Sequence, residues 1–263
     1  MKYRSTKCVK TVRIEKSIRK IIVSLSVLLV LSTANAHEIT ETSAESPVSI
    51  GADFVSRYVW RGLNFSQNAP AIQPSIEYSI GGFTAGTWGS YTFGEVTSQE
   101  LDFYASYTFI DEMFTIGVND YFFPSEDAYY DFFEYANTRT GHVLEATMRY
   151  NGTSSLPLSF MLATNFYGAD KQTDESGDAK THYSTYLELG YSFAVKNIEI
   201  STFIGGVTSE SKYYQTKKAA ITNIGASFSK TVKLTNSYGL RLNTSLILDP
   251  NNHEAYLVFG LTI

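Results

Sequence analysis

From Val48 onward the chain alternates apolar and polar residues in blocks separated by turn-forming residues. In Val48–Arg61 one parity carries Val48, Ile50, Ala52, Phe54, Tyr58 and Trp60. In Leu101–Phe109 the apolar parity is Leu101, Phe103, Ala105, Tyr107 and Phe109, against Asp102, Tyr104, Ser106 and Thr108. Successive side chains of a strand point to opposite faces, so this period predicts half-apolar strands and excludes amphipathic helices. Continuing along the chain predicts strands over 48–61, 71–80, 83–93, 101–109, 113–123, 142–150, 156–167, 183–193, 198–207, 219–229, 235–248 and 253–263.

The charges sort by parity. One formal charge, Asp120, falls on the apolar parity of these segments, while Asp53, Arg57, Arg61, Glu77, Asp102, Glu145, Arg149, Glu188, Glu199, Arg241 and Glu254 take the other. A lipid-facing charge at mid-membrane costs about 2–4 kcal/mol for Arg or Lys, whereas a lumen-facing charge stays hydrated. The connections alternate as well, short ones such as Gly81-Gly82 with long ones such as Pro124–Gly141, and only the last long position, Asp249–Asn252, is short. A soluble sandwich would share the period but not the two unequal rims. The expected fold is therefore all-β: an antiparallel transmembrane β-barrel of about twelve strands, with short periplasmic turns and longer extracellular loops. Pro74 and Pro157 cannot donate to a ladder and are expected at a bulge or a strand start.

Ahead of the barrel lie eight basic residues from Lys2 to Lys20, an apolar run Ile21–Leu31, and Ala34-Asn35-Ala36. This is the three-part plan of a secretory signal peptide, and the run is too short for a spanning helix. The expected organisation is a signal peptide over 1–36, a periplasmic segment over 37–47 and a barrel over 48–263, exported to the outer membrane of a Gram-negative bacterium. Cys8 precedes the apolar run, so the exported chain has no thiol. Removing the leader leaves 13 basic against 25 acidic residues, net −12, which disfavours nucleic acid as a partner.

Ser56-Arg57-Tyr58-Val59-Trp60-Arg61-Gly62, Pro70-Ala71-Ile72-Gln73, Tyr78 and Gly82-Phe83-Thr84-Ala85-Gly86-Thr87-Trp88-Gly89-Ser90 resemble the opening of the TorF family of bacterial outer-membrane porin-like proteins, with Thr84 at a position that is usually Tyr. The resemblance covers about 35 residues closely. It implies an outer-membrane barrel with a transport role and brings no catalytic residues, substrate or cofactor.

Little else points to chemistry. His37, His142, His182 and His253 sit in no nucleophile or metal motif, and His142 takes the lipid-facing parity. The acidic stretch Asp170–Asp178 lacks the closing Glu of a calcium loop, having Thr181 at its twelfth position, and Glu126-Asp127 supplies too few ligands. No cofactor, metal or catalytic residue is assigned. Tyr129, Tyr130, Phe132, Phe133 and Tyr135 admit two readings: a constriction loop folded inward, or a continuation of the interfacial aromatic girdle, which the composition favours. Seven inward acids against four inward arginines bias entry toward cations. The sequence thus predicts a porin-like channel for passive diffusion of small polar solutes, mildly cation-selective, embedded in outer-membrane lipid and not an enzyme. The alternative is a plugged barrel with a structural or docking role at the envelope. Homo-oligomerisation stays open.

Overall fold

The computed structural model describes residues 46–94, 98–124, 131–173, 176–236 and 238–263. The expected signal peptide, and all but the end of the segment that follows it, lie outside them. In chain order the strands are β1 (Val48–Val55), β2 (Val59–Trp60), β3 (Leu63–Asn64), β4 (Ala71–Ile80), β5 (Phe83–Thr92), β6 (Gln99–Phe109), β7 (Phe114–Phe122), β8 (His142–Tyr150), β9 (Leu158–Gly168), β10 (Lys171–Thr173), β11 (Ala179–Thr181), β12 (Thr185–Val195), β13 (Ile198–Val207), β14 (Ala220–Lys233), β15 (Gly239–Asp249) and β16 (Glu254–Thr262).

Twelve of these form a closed antiparallel barrel: β1, β4 to β9, then β12 to β16, with β16 pairing back onto β1 through Asp53↔Thr262, Phe54↔Leu261 and Val55↔Gly260. Closure leaves the barrel sheet without an edge strand, so each of its strands has a hydrogen-bonded neighbour on both sides. The two remaining pairs, β2–β3 and β10–β11, are small hairpins inside long loops. Gly81-Gly82 and Lys196-Asn197 make the tightest turns, on the same rim as the start of β1 and the end of β16.

The alternation sorts outward from inward as expected. Phe54, Ile76, Phe103, Ile116, Met148, Leu189, Ile204, Phe228, Leu246 and Phe259 are all exposed on the outer face. So much contiguous apolar surface is foreign to a water-soluble monomer. Near the short-turn rim, Tyr107, Phe109, Phe114 and Tyr150 touch in an unbroken outward row. This is the aromatic girdle expected at a membrane interface.

Several boundaries differ from expectation for local reasons. Pro157 lies just before β9, and at Pro74 the β4–β5 pairing skips Gln73 and Pro74, as a residue without an N–H requires. The β8–β9 register shifts between Leu144 and Glu145, where Phe166 of β9 is left out of the pairing as a bulge. The largest correction concerns the first segment. β1 ends at Val55, not Arg61, and the chain leaves the barrel wall at Ser56.

Candidate functional site

After β1 the chain turns into the barrel. Val59–Trp60 and Leu63–Asn64 pair as a hairpin whose tip holds Arg61 at φ 50° and Gly62 at φ 89°. A Cβ on Gly62 would stand 1.8 Å from the Thr222 carbonyl oxygen of β14, so only glycine lets the tip lie against the wall there. The Thr222 hydroxyl also donates to the Arg61 carbonyl at 3.1 Å. Gly62→Val is expected to push the tip off β14 and lower the melting temperature of the folded barrel; an unchanged melting curve would mean the tip is not seated there.

The Arg61 guanidinium meets side chains of β8 and β12, two strands apart in the wall, while the Arg61 carbonyl accepts from Thr222 of β14, which fixes their common face as the lumen. Its Nη1 and Nη2 donate to Glu145 Oε2 at 2.5 Å and Oε1 at 3.0 Å, a bidentate pair in which the Glu145 side chain is fully buried. Tyr121 and Asn119 of β7 donate to the same carboxylate at 2.9 and 3.2 Å. The guanidinium carbon lies 4.3 Å from the Trp60 ring centroid and 4.7 Å from that of Tyr186 on β12. Tyr186 donates to Glu188 at 2.6 Å, and Asn223 of β14 donates to both. Four hydrogen bonds thus converge on the buried Glu145 carboxylate, and Arg61 Nη1 also donates to the Tyr214 hydroxyl at 2.5 Å.

Aromatic rings complete the filling. Trp60 stacks on Tyr214 at 5.7 Å and 10°, and Tyr214 on Tyr186 at 5.7 Å and 14°. Tyr213 and Tyr214 come from the loop between β13 and β14, so two loops meet in the lumen. Beside them Phe65 stacks on Tyr58 and Phe123, and Tyr58 packs against Trp88. Burial pushes the Tyr213 and Tyr214 phenols above their ordinary range, with neighbouring charges adding to or offsetting that effect. Both rings therefore stay protonated and neutral.

The remaining inward charges divide by depth. Toward the short-turn rim Glu199 and Arg241 pair at 2.6 Å while exposed, Glu77 accepts from Tyr104 at 3.0 Å, and Asp53 accepts from Thr262. Arg149 lies 3.0 Å from the Met161 sulfur, a weak acceptor. Toward the long-loop rim Asp102 is buried, Glu188 belongs to the collar around Arg61, and Glu254 accepts from Tyr256. Arg57 lies in the loop, donating to Asn68 at 2.5 Å and sitting over Tyr256. Trp60 moves from the expected lipid face into the lumen, and Arg61 reaches the lumen from a loop and not from the wall.

The aromatic stretch before β8 goes the other way. Tyr129 and Tyr130 lie outside the described residues. Phe132 packs on Phe103, Phe122, Phe133 and His142, and Tyr135 stacks on His142 at 4.1 Å. Phe103, Phe122 and His142 share the outward parity, so Phe132, Phe133 and Tyr135 cover the outer wall and form no constriction. Under this cover His142 Nδ1 meets Asp120 at 2.8 Å and its Nε2 meets the Phe132 carbonyl at 2.8 Å. Both ring nitrogens are thus engaged, and the Nδ1 contact gives Asp120, the one charge on the lipid-facing parity, a partner. Tyr135 also donates to Asp120, and burial followed by that hydrogen bond pushes its phenol up to about 12. His142→Leu should therefore cost about 2 kcal/mol by removing a hydrogen-bond partner of Asp120, and adding Asp120→Leu should restore most of it. Unfolding curves that show no such recovery would count against the pair.

The other sequence candidates have structural roles. Asp170 accepts from the Ser184 backbone and hydroxyl at 2.8 and 2.9 Å. Both His182 ring nitrogens are taken, by Gln172 and by the Glu210 carbonyl, and so are turned from Ser184. Among the described residues no group of three or more His, Cys, Asp or Glu is placed to hold a metal ion.

A family model described as a bacterial protein of unknown function (Gcw_chp) matches residues 40–240, a span that includes the hairpin and every collar residue named above. The chain belongs to the Gcw_chp family. No curated protein matches it. Among solved structures, this Gcw_chp chain is similar to the NanC porin (12% identity, 81% of this chain and 98% of that chain, TM-score 0.46) and the KdgM porin (11%, 81% and 96%, TM-score 0.45). It is also similar to the COG4313 outer membrane channel from Pseudomonas putida F1 (10%, 86% and 98%, TM-score 0.41). At these values the likenesses are of shape and carry no function to the Gcw_chp chain.

Proposed function

We propose that the protein resides in the outer membrane of a Gram-negative bacterium and acts as a porin-like channel for passive diffusion of small polar solutes, with a mild preference for cations. The observation that carries this reading is the division of the lumen. A polar wall of Glu77, Glu199, Arg241, Ser227 and Ser245 leads from the short-turn rim to a collar in which Arg61, Glu145 and the stacked rings narrow the path. The apolar exterior supports a lipid setting, and the TorF-like residues agree with it. Twelve strands stand between barrels that side chains fill and those that leave an open channel, so what occupies the lumen decides the conductance. Acids outnumber arginines along the wall, which draws cations in.

The buried seat of the hairpin favours a second reading, in which the barrel is closed and serves the envelope structurally. Planar-bilayer recording separates the two. The channel reading expects small cation-preferring steps, and Glu77→Gln should move the reversal potential toward zero. An absence of steps from the folded protein, in the presence and absence of the hairpin, would favour the structural reading.

A further inference from the structure

Glu100 and Asp102 stand two residues apart on β6, both on the inward face, with only 4% and 8% of their surface exposed. Their carboxyl groups reach one another, and Tyr58 of the inserted loop reaches Glu100. Glu100 Oε2 and Asp102 Oδ1 are nevertheless buried without any hydrogen-bond donor. Two carboxylates packed together out of water cannot both stay ionised unless something positive lies between them. Among the described residues neither has an arginine partner, unlike Glu145, Glu199 or Glu134.

The neighbours supply oxygens and no cation. Ser90 on β5 pairs directly across from Glu100, and Gln73 Nε2 on β4 donates to the Ser90 hydroxyl at 3.5 Å, leaving the Gln73 amide oxygen for a ligand; both residues are buried. Gln73 and Pro74 are also where the β4–β5 ladder lapses. Two carboxylates with a side-chain amide and a hydroxyl beside them form an all-oxygen set of charge −2, the chemistry of a hard divalent ion.

We infer that Glu100 and Asp102, with Gln73 and Ser90, bind a calcium-like divalent cation that fastens the Tyr58 end of the inserted loop to the barrel wall. The site adjoins the Arg61–Glu145 collar, since Asp102 pairs directly across from Tyr121, and the inference does not require the barrel to conduct.

Terbium tests it, because Tyr58 and Trp88 stand beside the acids and can sensitise the luminescence of a lanthanide bound there. With the detergent-purified protein, excitation of these rings should give a saturable terbium signal displaced by calcium. Glu100→Gln and Asp102→Asn should each weaken terbium binding about tenfold or more. The unmutated protein should also melt higher in calcium than in chelator, a measurement independent of how the variants fold. Equal melting in calcium and chelator, or terbium binding unchanged in both variants, would overturn the inference. So would stabilisation by acid alone with no response to calcium, since the pair would then share a proton.

Discussion

Replacing Val59–Asn64 with a short Gly-Ser link is expected to raise single-channel conductance several-fold while the barrel still folds. The hairpin is not part of the cylinder: β2 and β3 pair only with each other, and ladder closure runs through β1, β4 and β16 without them. What it contributes is volume in the lumen. Trp60 and Leu63 pack with Met161, Ala163, Tyr186, Val207 and Tyr214 in one buried apolar cluster. With the hairpin gone, those wall side chains face water in a twelve-stranded lumen and the narrowest point moves outward. The loop holding Tyr213 and Tyr214 should loosen too, because Trp60 is the ring on which both pack. Conductance equal to that of the parent would show that the hairpin does not set the constriction.

The second large effect is on stability. Arg61→Ala leaves Glu145 fully buried with hydrogen bonds from Tyr121 and Asn119 but without its cation. Stranding one partner of a buried ion pair costs about 3–5 kcal/mol. Glu145→Gln strands the guanidinium instead, which keeps its contacts with the faces of Trp60 and Tyr186, so its cost should be smaller. Combining Arg61→Ala with Glu145→Gln should be milder than Arg61→Ala alone, since no unpaired charge remains. Denaturant unfolding in lipid vesicles measures all three. An Arg61→Ala protein within about 1 kcal/mol of the parent would place the pair in solvent, where such bridges are worth little.

The strands and the two faces of the wall were legible because period two is a local signal, repeated wherever one face meets an apolar medium and the other meets water. The hairpin was not. Tyr58 and Trp60 continue the alternation of Ala52 and Phe54, and nothing in their neighbours distinguishes a strand facing lipid from a loop turning inward. What turns it is long-range: Arg61 finds Glu145 and Tyr214, 84 and 153 residues further on. The one local trace is Arg61-Gly62, a pair able to take the left-handed backbone the tip requires. Glu100 escaped notice because β6 begins at Gln99, two residues earlier than the alternation alone suggests. Asp120 stood out as a charge on the wrong parity, and its partner His142 stood on the same parity at the next strand start. The pairing Asp120↔Leu144 brings the two within reach, but register across strands is not written in either segment.

The account rests on the first loop turning into the lumen and taking Trp60 with it. The chain has two tryptophans, Trp60 and Trp88, and both face inward beside Tyr214 and Tyr58. Fluorescence of a Trp88→Phe protein reconstituted in bilayers of brominated lipid reports on Trp60 alone. Emission close to that in unbrominated lipid is the expected result; deep quenching by the bromine atoms would put Trp60 on the outer wall and contradict the inserted hairpin.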